Sequence, residues 1–72
     1  MAKKGMEKQG YEKWVGYDIN VSFFDTKGKR RNRRFNFITF DNNGITLQHL
    51  EGKEDGLVVF KPWQQIIEIN GD

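Results

Sequence analysis

Six cationic side chains fall within eight positions, Lys27-Gly28-Lys29-Arg30-Arg31-Asn32-Arg33-Arg34. Such a block binds anions. Lysine offers a compact ammonium, and arginine a planar fork of N–H donors that pairs bidentately with phosphate or stacks on a base. On a turn and a strand these groups suit the repeating charge of a phosphate backbone. Lys61 is a further candidate for the same role. Phe24, Phe35 and Phe37 flank the block. Exposed rings beside cations would give single-stranded bases a stacking platform, and buried ones would belong to the core. The arginines also have a plainer use, as charges on a solvated strand that block edge-to-edge pairing.

No other stretch offers comparable chemistry. His49 is the single histidine, with Glu51 on the same strand face, and there is no cysteine. One imidazole without thiolates gives neither a metal cluster nor a catalytic triad, and His49 is expected on the surface or the barrel rim. Gly52 and Gly56 bracket a loop, but no helix follows to make a phosphate cradle. The sequence therefore yields no catalytic residue, no metal ligand and no cofactor motif, and a non-enzymatic protein is expected.

These residues must be positioned by one small domain, because 72 residues leave no room for a second core. Six Phe, two Trp and two Tyr dominate the apolar set, which suits a β core in which each ring buries a large area. The lack of cysteine removes any disulfide framework and fits a reducing cytoplasm. No apolar run reaches the length of a membrane span or a signal-peptide core, so a soluble cytoplasmic protein without membrane contact is expected. The net charge of +2 hides an asymmetry, since residues 1–34 carry +6 and residues 35–72 carry −4. The local field of the basic block is the quantity that matters for binding.

Residues 1–13 read as a flexible arm, with a brief helical turn through Met6–Lys13, and residues 14–72 as the barrel. Val15, Tyr17, Ile19, Val21 and Phe23 alternate with polar residues and glycine, the period of a half-buried strand. A turn over 26–29 leads to a second strand, Arg31–Phe40. Neither face of that strand is purely apolar, so it must bend, and a bulge would shift its inward set. Asp41-Asn42-Asn43-Gly44 reads as a hairpin turn that uses the positive φ tolerated by Asn and Gly. Ile45–Leu50 follows, and then the charged loop 51–56. The continuous apolar run Leu57–Phe60 suits a strand covered on both sides. Pro62 ends that strand, 62–65 is a single 3₁₀ turn, and Ile66–Ile69 is the last strand. Trp63 would plug the end of the barrel or, if exposed, offer a ligand-binding aromatic. The expected fold is all-β, a small five-stranded SH3-like or Sm-like barrel.

Two segments resemble the Sm-like family, in particular the bacterial host-factor RNA chaperone. Phe40-Asp41-Asn42-Asn43-Gly44-Ile45-Thr46-Leu47 is similar to the first Sm motif, where Phe-Asp leads into an apolar strand. Val59-Phe60-Lys61-Pro62-Trp63-Gln64-Gln65-Ile66 is similar to the second. Lys61 matches the lysine of the family's lysine-histidine pair, and Pro62 stands in the place of the histidine. Asn43 replaces the base-stacking aromatic, and Phe35 the glycine at which the second strand bends. The resemblance implies an RNA-binding barrel, and a homo-oligomeric ring closed by the free edges of the fourth and fifth strands.

Taken together, the residues point to a nucleic-acid-binding module for RNA or single strands, acting through Lys27, Lys29, Arg30, Arg31, Arg33, Arg34 and Lys61. The alternative is a small protein-interaction module, an adaptor or a phage-type inhibitor, whose arginine hairpin meets an acidic protein partner.

Overall fold

The computed structural model describes residues 10–71. Its five antiparallel strands are β1 (Asp18–Phe24), β2 (Arg30–Phe40), β3 (Gly44–His49), β4 (Val58–Pro62) and β5 (Ile66–Gly71). They form one sheet in the order β4-β3-β2-β1-β5. A single 3₁₀ turn, Trp63–Gln65, joins β4 to β5. The architecture is the expected all-β SH3-like barrel. Of the helical turn expected over Met6–Lys13, residues 6–9 lie outside the described residues, and a 3₁₀ turn covers Glu12–Trp14.

The strands form where alternation puts apolar side chains on one face. Ile19, Val21 and Phe23 of β1 are buried together with Phe35 and Phe37 of β2, Ile45 and Leu47 of β3 and Ile69 of β5. Phe35, Phe37, Ile45, Leu47 and Val21 are fully enclosed. Each such side chain contributes about 1.5–3 kcal/mol of transfer free energy, and this closed set supplies most of the driving force available to so short a chain. Phe35 and Phe37 are thus core, and neither is available to stack on a base.

The first strand is shorter than its alternation suggests. Gly16 has φ +90°, and that left-handed residue breaks the extended run. Val15 and Tyr17 are left exposed before Asp18 begins β1. The bend expected in β2 is a bulge at Ile38. Phe37 pairs with Leu47 and Thr39 with Thr46, so two steps on β2 match one on β3. The extra residue turns Phe40, rather than Thr39, toward the core after Phe37. A second irregularity, between β1 and β5, pairs Ser22 with Glu68 and Phe23 with Ile66, and Ile67 is exposed there.

Two expectations are corrected. The Asp41–Gly44 turn does not use positive φ, since neither Asn43 nor Gly44 is left-handed. The Asp41 carboxylate holds it instead, accepting the N–H groups of Asn43 at 2.7 Å and Gly44 at 3.1 Å. Glycine is required for a different reason. A Cβ on residue 44 would collide with the Lys61 carbonyl oxygen and lie 2.9 Å from the Pro62 Cα, so β4 crosses too closely for any side chain. Nor is β4 covered on both sides. It is an outer strand of the sheet, and Leu57, Val58 and Phe60 are each more than half exposed. A short apolar run has the same sequence signature on a buried strand and on a sticky edge.

Candidate nucleic-acid interface

Strand alternation divides the basic block between two faces. Residues directly opposite in an antiparallel pair share a face. Arg31 pairs with Phe23, Arg33 with Val21 and Phe35 with Ile19, so Arg31 and Arg33 continue the row of the core side chains. Arg30 pairs with Phe24, Asn32 with Ser22 and Arg34 with Asn20, so these lie on the outer, polar face. Lys27 and Lys29 occupy the turn between β1 and β2.

Asp25 organises that turn. Its carboxylate accepts the backbone N–H groups of Lys27 and Lys29, both at 2.9 Å, and the Arg31 Nε at 3.0 Å. Gly28, at φ +80°, completes the reversal. The Lys29 N–H and the Arg31 guanidinium together hold the Asp25 carboxyl below its ordinary value of 3.8.

Two further arginines meet carboxylates from other strands: Arg30 faces Glu68 at 3.8 Å and Arg34 faces Asp18 at 3.7 Å. Exposed pairs of this kind are worth about 0–1 kcal/mol, so an incoming phosphate can replace the carboxylate at little expense. Among the described residues Lys27, Lys29, Arg33 and Lys61 have no carboxylate within ion-pair distance.

Lys61 joins this group across the barrel. Its ammonium sits 4.0 Å above the centroid of the Phe23 ring, a cation–π contact. Burial lowers the pKa of the amine below its ordinary 10.5. Phe23, Asp25, Arg31, Arg33, His49, Glu54 and Lys61 line one open cleft of about 300 Å³. Three of the seven cations assigned from the sequence converge there, the two turn lysines flank its Asp25 wall, and Arg30 and Arg34 do not reach it. Phe24, 44% exposed on the outer face opposite Arg30, is the phenylalanine left to act as a stacking platform.

Sequence reasoning weighed His49 only to set it aside, and passed over Asp25 and Glu54. His49, expected on the surface or the barrel rim, is buried at the end of β3 where it lines the cleft, with its ring 4.6 Å from that of Phe35. Its Nδ1 is enclosed without a hydrogen-bond partner. Burial chiefly pushes the imidazole below its ordinary 6.5, Glu54 opposes the shift, and Lys61 and Arg33 add to it. The alternation Ile45-Leu47-His49 is the local signal for its burial, whereas its ring partner depends on pairing with Phe35 across β2 and β3. Asp25 was more legible, since an aspartate heading a Thr-Lys-Gly-Lys reversal is a side-chain-capped turn.

Both depressed groups predict loss of stability in acid. A folded-state pKa below the unfolded one means that the unfolded chain binds more protons, so stability falls as pH is lowered through that interval. His49 contributes stability that is complete above about pH 6.5 and declines as pH falls toward its folded value; Asp25 does the same below about 3.8. Thermal melts should therefore show a first decline starting near pH 6.5. His49→Gln should remove that decline and leave the one from Asp25. A melting temperature equal at pH 7 and pH 5 in the wild type would contradict the burial of His49.

Among the described residues no group of three or more His, Asp or Glu is placed to hold a metal ion, and no helix is long and apolar enough to cross a membrane. No family model matches the chain, and no curated protein or solved structure matches it significantly.

Proposed function

We propose that the protein is a non-enzymatic nucleic-acid-binding module that takes RNA or single strands through the β1–β2 turn and the cleft beside it. The observation that carries this is the convergence of Arg31, Arg33 and Lys61 on one cleft, next to Lys27 and Lys29 on the turn. Cations spaced along a turn and a strand can follow successive phosphates, and Phe24, exposed on the outer face where the turn begins, can stack on a base. The contacts are to backbone and ring faces, which makes binding tolerant of sequence. The experiment is titration of a short single-stranded RNA across salt concentrations.

A second copy of the chain is the partner proposed for β4. Leu57, Val58 and Phe60 are exposed along this outer strand, and Ile67 is 37% exposed on β5, the other outer strand. Apolar edges with open backbone groups favour strand addition, and pairing β4 of one copy with β5 of the next would extend into a ring. Light scattering at tens of micromolar should report an oligomer, and Phe60→Lys should return it to a monomer. A wild-type monomer at that concentration would contradict the ring. The alternative is a protein-interaction module in which an acidic protein meets the arginines of β2 and the turn before it.

A further inference from the structure

We propose that the cleft beneath the β1–β2 turn is a binding site for a phosphate group, with Arg33 and Lys61 as its principal donors, Arg31 in support and His49 as its floor. This goes beyond the nucleic-acid assignment and does not depend on it, because a free phosphate or phosphomonoester would satisfy the same groups.

The cleft is concave and cationic, and its charges are unevenly committed. Asp25 is already saturated by two backbone N–H groups and the Arg31 Nε. That contact leaves the terminal nitrogens of Arg31 outside the pair. Arg33 spends one terminal nitrogen on its neighbour's carbonyl, at 3.3 Å from the Asn32 oxygen. Lys61 is held in place by the Phe23 ring rather than by a counter-ion. Glu54 is the one carboxylate of the cleft wall not tied to a cation. Glu51, on the same loop, turns toward β2 and accepts the Arg34 backbone N–H at 3.3 Å.

Burying part of an ammonium without an anion is unfavourable, and the lowered pKa of Lys61 reflects it. A phosphate in the cleft would relieve that penalty and bridge Arg33 and Lys61 with charge-assisted bonds. His49 couples the site to pH. The charged groups facing it are Arg31 and Arg33 from β2, Lys61 from β4, Glu54 from the loop after β3 and Asp25 from the turn. Protonating the imidazole adds a positive charge next to the anion, so binding and proton uptake should reinforce one another.

The test is an NMR titration with inorganic phosphate at pH 7, read on the Arg33 and Arg31 side-chain N–H signals and on the His49 ring. Half-saturation is expected at about 1–10 mM, reasonable for so small a ligand. Arg33→Gln should weaken binding about tenfold or more, and Lys61→Met, which keeps the stem over Phe23, by a similar factor. Glu54→Gln should strengthen it severalfold, a gain that no loss of structure would produce. Sulfate keeps its charge between pH 8 and pH 6, so its affinity should rise over that range in the wild type and stay flat in His49→Gln.

The source of the phosphate is decided by comparing 5′-phosphorylated and 5′-hydroxyl forms of one short RNA. Tighter binding of the phosphorylated form assigns the cleft to nucleic-acid ends. Equal binding, with inorganic phosphate still saturating the cleft, assigns it to free phosphate or a small phosphomonoester. If phosphate up to about 20 mM moves none of these signals, the site is wrong, whether or not RNA binds elsewhere on the turn.

Discussion

Trp63→Ala should destabilise the folded chain by about 3 kcal/mol, the lower end of the range for removing a large aromatic, because part of the indole is exposed. The ring closes one end of the core. It stacks on Tyr11 with centroids 5.3 Å apart, meets Phe40 edge-on at 6.5 Å, and donates its Nε1–H to the Asp41 carbonyl at 2.7 Å. Tyr11 in turn contacts Trp14, Phe37 and Phe40, so the substitution loosens a cluster that ties the segment before β1 to the hairpin of β2 and β3. A small domain has roughly 5–15 kcal/mol in total, and a loss of this size should lower the melting temperature by more than about 10 °C. Trp63→Phe separates the two contributions. It keeps a ring in the cluster and removes the bond to Asp41, which should cost about 1 kcal/mol. A melting temperature unchanged by Trp63→Ala would move the indole from the core to a ligand-facing role.

The second large effect is on binding. Replacing Arg30, Arg31, Arg33 and Arg34 by Gln together should abolish RNA affinity while the barrel stays folded, since exposed ion pairs contribute little to stability. The division of the block between two faces refines this. Arg31→Gln with Arg33→Gln should remove most of the affinity, because these two share the cleft with Lys61. Arg30→Gln with Arg34→Gln should have the smaller effect, because both already face carboxylates, Glu68 and Asp18. Equal losses from the two pairs, measured by fluorescence anisotropy, would mean that RNA wraps the outer face as well.

Much of the scaffold was legible because its causes are local. The alternation Ile19-Val21-Phe23, the conflict between the two faces of β2 and the Pro62-Trp63 stop each follow from a few neighbouring residues. The bulge was foreseeable from that conflict, but its position at Ile38 depends on register with Leu47 and Thr46. What stayed hidden is non-local. The carboxylates that face the arginines come from the start of β1, the first turn and β5. The cleft exists only when β1, β2, β3 and β4 are brought together. The exposure of β4 was misread because Leu57–Phe60 would look the same whether buried or on an edge.

The most direct test of the central claim is the salt dependence of binding to a short single-stranded RNA. Three or four phosphates held by Lys27, Lys29, Arg31, Arg33 and Lys61 should give a log–log slope of about −2 to −3, from roughly −0.7 per phosphate contacted. The slope should flatten when the arginines become Gln. A wild-type protein with no measurable affinity for RNA or single-stranded DNA at about 50 mM salt would contradict the claim, and the arginines would then be assigned to an acidic protein partner.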